Sequence, residues 1–448
     1  MFSTTDTIVA IATPPGRGGI GVVRLSGTEA LAIAGRLIAH DRPLEPRRAT
    51  FATVRFGNEG EAGADHAVLT YFPAPGSYTC EDVVEISAHG SPVVLRSIVE
   101  AAIGGGARLA EPGEFTLRAY LNGRLDLMQA EAVADLIDAV TPRQARAAFD
   151  QLHGTLTRAI AAIDAALFDL IARLEASVDF PEEGYHFADP RMLSDRLNGM
   201  IERTADLLAE GRRGRLVREG LQIAILGPPN VGKSSLFNAL AGASRAIVTE
   251  MPGTTRDLVT ETVDIKGLRV TLIDTAGLRQ ADDIAESEGV ERARHAAEVS
   301  DLTLVVFDRS APLGESAQDI LGHRTGRRIV VANKSDLPEA WSIPDAVEIS
   351  ATTGTGVGRL RQRIVDELEV DSLRDRPEIT NVRHITLVER AHAALVRART
   401  ALADGGTLPE EFVLADLQDA RMAFEEVTGR RTPEDVLEHI FARFCIGK

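Results

Sequence analysis

Gly227-Pro228-Pro229-Asn230-Val231-Gly232-Lys233-Ser234-Ser235 fits the phosphate-binding pattern G-x-x-x-x-G-K-[ST]. The spacing has a chemical reason. Glycines let the backbone curl until several N–H groups converge on one phosphate chain. Lys233 then reaches the β- and γ-phosphates, and the Ser234 hydroxyl can sit on Mg²⁺. Leu221-Gln-Ile-Ala-Ile-Leu226 reads as a buried strand before the loop, and Ser235-Leu-Phe-Asn-Ala-Leu240 as a helix after it. A glycine-rich turn can arise without a ligand, but this strand–loop–helix order is what the motif requires.

Three segments downstream turn a nucleotide site into a guanine-nucleotide switch. Leu272-Ile-Asp-Thr-Ala-Gly277 is an apolar strand running into Asp-x-x-Gly. Asp274 would hold the Mg²⁺ shell, with Thr275 and Ala276 leading to a Gly277 N–H that senses the γ-phosphate. Val330-Val-Ala-Asn-Lys-Ser-Asp336 ends a second strand in Asn-Lys-x-Asp. The Asp336 carboxylate can accept from both N–H donors on the guanine edge, a pattern adenine lacks, while Asn333 and Lys334 brace the loop. Glu348-Ile-Ser-Ala351 is a third strand end, where a backbone N–H of Ser350 or Ala351 can meet the guanine carbonyl. Each motif alone is weak; together, in this order, they oppose an ATPase reading.

The water-positioning group is less plain. Ras-type GTPases carry Gln after Asp-x-x-Gly, but here Leu278 follows Gly277. Nearby lie Asp282, Asp283, Glu286 and Glu288. They read either as a solvated acidic loop or as the source of one carboxylate that swings in to orient water.

Composition bounds the remainder. A chain of 448 residues, 44% hydrophobic, suits about three globular domains. Two cysteines, Cys80 and Cys445, oppose a disulfide scaffold and suit a reducing cytoplasm. The N-terminus lacks a signal-peptide pattern, and no apolar run reaches the ~20 residues of a membrane span, so no membrane association is expected. A net charge of −17 disfavours indiscriminate nucleic-acid binding. An RNA partner would need a local patch, for which Arg212-Arg213-Gly-Arg215, Arg327-Arg328 and Arg430-Arg431 are candidates, against the blander reading of solvated surface clusters.

Residues 1–118 alternate short strands (Thr7–Ala12, Gly21–Leu25, Ala67–Phe72, Asp82–Ile86) with helical stretches (Glu29–Ile38, Pro92–Ile103), a small α/β domain. Residues 119–215 are helical, with Ile160, Ile163, Leu167, Leu170, Ile171, Leu174 and Val178 on one stripe. A P-loop GTPase domain of Ras-like fold spans 216–371, and 372–448 returns to helices over Asn381–Ala403, Glu410–Val427 and Pro433–Phe444. The expected architecture is a multidomain α/β and α chain with the GTPase domain inserted into a helical domain built from both flanks.

Nearly the whole chain resembles the MnmE (TrmE) family of tRNA-modification GTPases. The resemblance rests on Asp6-Thr-Ile-Val-Ala-Ile-Ala-Thr-Pro-Pro-Gly-Arg-Gly-Gly19, on Glu81-Asp-Val-Val-Glu85 with His89-Gly90, and on Pro112-Gly-Glu-Phe-Thr116 followed by Arg118-Ala-Tyr-Leu-Asn-Gly-Arg-Leu-Asp-Leu127. The terminal Phe444-Cys-Ile-Gly-Lys448 is similar to the family's Cys-x-Gly-Lys tail.

The resemblance implies a homodimer through the N-terminal domain, and a heterotetramer with an MnmG-like flavoprotein that supplies FAD. It implies addition of an aminomethyl or carboxymethylaminomethyl group to C5 of the wobble uridine of certain tRNAs, from 5-formyltetrahydrofolate or a related reduced folate. By position, Asn230, the Thr249 and Met251 carbonyls and Thr254 would hold K⁺. Thr255 would join Ser234 on Mg²⁺. The stretch Thr249-Glu250-Met251-Pro252-Gly253-Thr254-Thr255 would border the GTP. Glu286 matches the family's water-positioning glutamate. Arg24, Glu81 and Lys448 match folate-site positions, and Glu81 could accept in bidentate fashion from the amidine-like edge of a pterin. Arg124 stands where the family often has Lys, keeping charge but changing donor geometry. Cys445 is either a nucleophile or proton donor beside the one-carbon unit or a residue that packs there. Redox chemistry is assigned to the partner, since no dinucleotide fingerprint sits between a strand and a helix. Two rivals stay open: a GTP-dependent ribosome-assembly factor, which predicts basic RNA-binding flanks and no folate, and a structural switch without chemistry of its own.

Overall fold

The computed structural model describes residues 5–39, 43–57, 63–179, 190–242, 259–274, 300–314, 317, 320, 327–368, 379–403 and 410–448. The chain forms two compact units: Met1–Ala134 with Met422–Lys448, and Asp135–Arg421.

The first unit is built on β1 (Ile8–Ile11), β2 (Gly18–Ser26), β3 (Ile38–Ala39), β4 (Thr50–Phe56), β5 (Gly63–Phe72), β6 (Val83–Gly90) and β7 (Arg108–Leu109). They form one sheet in the order β3-β4-β5-β6-β2-β1-β7. Every neighbouring pair is antiparallel except β1 with β7. Alternation does the sorting, because strand side chains face opposite sides in turn. Val23 and Leu25, Leu69 and Tyr71, and Val84 and Ile86 point into one core. Against them pack α1 (Ala30–Leu37) and α2 (Pro92–Gly104) through Ile33, Leu37, Leu95, Ile98 and Ala102. The spacing Gly16-x-Gly18-x-x-Gly21 runs from the β1–β2 connection into β2, not into a helix. After β7 come α3 (Glu114–Leu121) and α4 (Leu127–Ile137). The C-terminal tail returns to this unit: Pro112 and Ile446 form an antiparallel bridge, and Gly113 N–H donates to the Cys445 carbonyl at 3.4 Å.

The second unit carries α5 (Pro142–Leu152), α6 (Thr155–Asp179) and α7 (Pro190–Glu219), and then an α/β sheet. Its strands are β8 (Leu221–Leu226), β9 (Val259–Ile265), β10 (Leu268–Asp274), β11 (Leu302–Asp308), β12 (Arg328–Asn333) and β13 (Val347–Glu348), ordered β13-β12-β11-β8-β10-β9. All neighbours are parallel except β9 with β10. The helix α8 (Lys233–Gly242) follows β8, and α9 (Val357–Glu367) follows β13. Two more helices follow, α10 (Val382–Ala403) and α11 (Glu410–Thr428), and α12 (Glu434–Phe441) belongs to the first unit. Strand order reverses about β8, which places a crevice at the carboxyl ends of β8 and its neighbours.

The stripe along α6 is buried from Ile160 to Leu174. The α5 helix starts in a capping box, with Thr141 accepting from Gln144 N–H and the Gln144 side chain returning to the Thr141 N–H. The same Gln144 donates through Nε2 to the Arg218 carbonyl at 2.9 Å, and Arg218 pairs with Asp135 at 2.7 Å. The start of α5 is thereby fastened to the end of α7, just ahead of β8. Ala147 of α5 and Val217 of α7 share one apolar core with the sheet. The helices and the α/β sheet of this unit are thus a continuous packed body rather than beads on a linker.

Candidate functional site

The phosphate loop occupies the carboxyl end of β8. Gly227 has φ of +151°, and a Cβ there would lie 2.2 Å from the Val306 carbonyl oxygen of β11. Gly232 has φ of +94°, and a Cβ would lie 2.3 Å from Asn333 Nδ2. Both positions need glycine for conformation and for space. Lys233 opens α8, and its ammonium donates to the Gly227 and Pro228 carbonyls at 2.8 and 2.7 Å. Asn230 and the first-turn residues Ser234 and Ser235 are exposed. The loop therefore presents an ammonium, hydroxyls and the positive end of a helix to one space, which suits a polyanion.

Asn333, the last residue of β12, is buried and locks two loops together. Its Nδ2 donates to the Val231 carbonyl at 2.8 Å, and its Oδ1 accepts from Ala351 N–H at 3.0 Å. Lys334 follows with φ of +64° and pairs with Asp308 of β11 at 2.6 Å. Burial pushes the Asp308 carboxyl up, but hydrogen bonds from Lys334 and Ser310 outweigh it and hold the group below its ordinary range. Ser335 N–H donates to the Ile349 carbonyl at 2.9 Å, and Asp336 is left exposed. Ser350 is buried and its N–H donates to the Thr355 carbonyl at 2.9 Å. The Ala351 N–H offered to a guanine carbonyl is thus engaged by Asn333 here. Asp274 ends β10 opposite Ile225 of β8 and Val259 of β9. Thr249 to Thr255, Thr275 to Gly277 and Glu286 lie outside the described residues, as does the side chain of Asp274.

A second constellation lies in the first unit. Arg24 of β2 donates to Glu85 of β6 at 2.9 Å and to the Gly447 carbonyl at 3.2 Å. Its guanidinium carbon lies 5.6 Å from the ring centres of both Tyr78 and Phe115. Glu81 accepts from the Ser26 hydroxyl at 2.6 Å and from Arg118 at 3.2 and 3.3 Å. Arg24 and Glu81 thus have separate partners, Arg24 pairing with Glu85 directly opposite it on β6. Lys448 is half-buried, and burial together with the Arg24 charge lowers its pKa. Arg124 is exposed near Tyr78; burial raises the Tyr78 pKa, opposed by Thr116, Arg24 and Arg124. Cys445 is exposed.

Matching sequences agree with this layout. A family model described as the MnmE helical domain matches residues 127–445, and one described as the N-terminus of the GTP-binding protein TrmE matches residues 7–124. The chain is 47% identical over 454 residues to the tRNA modification GTPase MnmE of Koribacter versatilis, covering 99% of each. The proteins of the same name from Geobacter sulfurreducens and Thermus thermophilus are each 43% identical, again over 99% of each chain. The chain belongs to the MnmE (TrmE) family.

One part of this family member's second constellation joins residues far apart in the sequence, the four-residue step from Glu114 to Arg118 aside. Arg118 is 1% exposed and Glu114 likewise. Arg118 pairs with Glu114 at 2.9 Å, with Asp6 at 2.6 Å and with Glu81 at 3.2 Å. Arg108 joins Asp6 and Glu114, each at 2.6 Å. Two guanidiniums therefore hold three carboxylates, and Glu81 is aimed by this network. Burial raises the carboxyls of Asp6 and Glu114, yet the arginines win and both end below their ordinary values of 3.8 and 4.5. Groups with depressed folded pKa values stabilise above the unfolded value, and that stability is lost as pH falls through the folded value. Arg118→Met should destabilise this unit by about 3–5 kcal/mol at pH 7, because buried charge is left uncompensated. The carboxylates of the variant then protonate more readily, so its deficit should shrink below pH ~5. Denaturant unfolding at both pH values checks this; a deficit under about 1 kcal/mol at pH 7 would contradict it.

Proposed function

We propose that this chain is a GTP hydrolase that takes part in tRNA modification, acting with a flavoprotein on C5 of the wobble uridine of certain tRNAs. The observation that carries the reading is Asn333, whose side chain couples the phosphate loop at Val231 to the base-reading loop at Ala351. One nucleotide spanning both loops has a purine at one end and phosphates at the other, and Asp336 selects guanine by accepting from its two edge donors.

Phosphoryl transfer needs positioning and charge stabilisation more than covalent help. Lys233 would exchange its two loop carbonyls for β- and γ-phosphate oxygens, so its charge is held in place before substrate arrives. The α8 N-terminus and loop N–H groups hold the remaining phosphate charge. Glu286 would orient the attacking water, the task Leu278 cannot perform. The exposed Ser234 hydroxyl and Asn230 side chain are hard oxygen donors and fit Mg²⁺ and K⁺ respectively, with Thr255 and Asp274 completing the first site and Thr249, Met251 and Thr254 the second. Bound there, the cations would offset developing negative charge. Because α5 and α7 share a core with the sheet, movement of the nucleotide loops is passed to those helices.

In the first unit, Arg24, Arg124 and Lys448 suit the anionic parts of a reduced folate, and Glu81 suits a pterin edge. A folate would supply the one-carbon unit. Glu81 enters ready-aimed by Arg118 and Ser26, and the Arg24 guanidinium is fixed between Tyr78, Phe115 and Glu85. Dimerisation through this unit and pairing with an MnmG-like flavoprotein complete the reading.

Two measurements test it. Calorimetry should find micromolar binding of 5-formyltetrahydrofolate, at least ten-fold weaker in Arg24→Ala; no binding by a folded, GTP-hydrolysing wild type would leave a bare GTPase switch. Glu286→Ala should bind GTP within a few-fold of wild type yet hydrolyse it about 10²–10⁴-fold more slowly. An unchanged rate would remove Glu286 from the reaction.

A further inference from the structure

A chain with net charge −17 can hold RNA only through a local basic surface. The arginine clusters visible in the sequence are largely spent on internal partners. Arg215 pairs with Glu219 at 2.7 Å, Arg431 with Glu425 at 2.8 Å, and Arg327 donates to the Glu367 carbonyl at 3.2 Å. A different surface stands on α5. Arg143, Arg146, Phe149 and His153 recur at steps of three, three and four, which places them on one stripe.

The stripe combines exposed rings and free charge. Phe149 is 50% exposed, and its ring centre lies 4.1 Å from that of His153 with the planes 38° apart. The imidazole is held rather than swinging, since Nδ1 donates to the Phe149 carbonyl at 2.9 Å. Arg146 is exposed and has no acidic partner among the described residues. At the far end Arg158 is exposed and donates to the His153 carbonyl at 2.6 Å. Asp150, the acid of the same turn, has its Oδ2 buried. A single exposed phenylalanine needs no explanation. A pinned aromatic pair flanked by unneutralised guanidiniums matches what unpaired bases and phosphates require.

We propose that the Arg146–Phe149–His153 face of α5 is a contact surface for single-stranded RNA, with a loop base stacking on the ring pair and Arg146 and Arg158 meeting phosphates. An RNA duplex keeps its base faces stacked and cannot use the platform, so the partner is a loop or an end. The inference rests on the tRNA reading above and adds a docking place to it. The start of the same helix meets the β9–β10 hairpin, where the Gly267 Cβ position lies 3.8 Å from Arg143 Cβ. RNA held there touches the body that carries the nucleotide loops.

The test uses the full chain and a fluorescein-labelled anticodon stem-loop RNA with an unmodified wobble uridine, followed by anisotropy across a salt series. Phe149→Ala should weaken binding about ten-fold and Phe149→Trp restore it. Arg146→Gln should flatten the slope of log affinity against log salt by about one phosphate contact. Thermal melting and RNA-free GTP hydrolysis of these surface variants should match wild type. Wild-type binding that neither substitution changes would overturn the surface and spare the tRNA reading. Variants that keep RNA but lose a purified MnmG-like flavoprotein would make the face a protein-docking site and overturn the proposal. A wild type that binds no RNA would overturn both.

Discussion

Asn333 is the constraint on which the nucleotide site depends. One buried amide donates to the phosphate loop and accepts from the loop after β13. Losing it would strand a carbonyl at Val231 and an N–H at Ala351, each worth about 1–3 kcal/mol if left unpaired. Gly232 is tied to the same atom, because any side chain there would strike the Asn333 amide. The phosphate and base ends of the site are therefore not independent, and a single side chain couples their geometry. Lys334 and Asp308 extend the bracing to β11, so three parallel strands contribute to one rigid rim.

The first unit solves a harsher electrostatic problem. It buries a guanidinium and a carboxylate almost completely, an arrangement tolerated only when each has an opposite charge in contact. Arg118 and Arg108 distribute Asp6, Glu81 and Glu114 between them. The returning C-terminal tail lies close by, with the Gly447 carbonyl on Arg24 and the Lys448 ammonium depressed by burial and by that arginine. Packing so many charges together favours a site kept for its chemistry over one kept for stability alone.

Local patterns were legible in the sequence and distant pairings were not. The P-loop, Asp-x-x-Gly and Asn-Lys-x-Asp declare themselves because their chemistry lies within a few consecutive residues. The strand Leu221–Leu226 reads from an apolar run, and the α6 stripe from period alone. The strands β4 and β9 are harder to read, because polar and charged residues interrupt their apolar positions, as in Thr50-Phe-Ala-Thr-Val-Arg-Phe56 and Val259-Thr-Glu-Thr-Val-Asp-Ile265. Arg118 meets Asp6 across 112 positions and Arg24 meets Glu85 across 61, separations no spacing rule can bridge. Runs of arginine are conspicuous in the sequence, yet folding gives Arg215 and Arg431 carboxylate partners and Arg327 a backbone carbonyl. The α5 face forms no contiguous run, since its arginines and rings are three and four residues apart and the helix brings them together.

The most direct test of the account is nucleotide preference in Asp336→Asn. An amide cannot accept from both guanine edge donors but can donate to the carbonyl that xanthine carries in place of the amino group. The variant should lose affinity for GTP by at least a hundred-fold, gain it for xanthosine triphosphate, and hydrolyse the new substrate with the same loops. Unchanged GTP preference in a folded variant would contradict the assignment of the Asn333–Asp336 loop to guanine, and with it the nucleotide site as described.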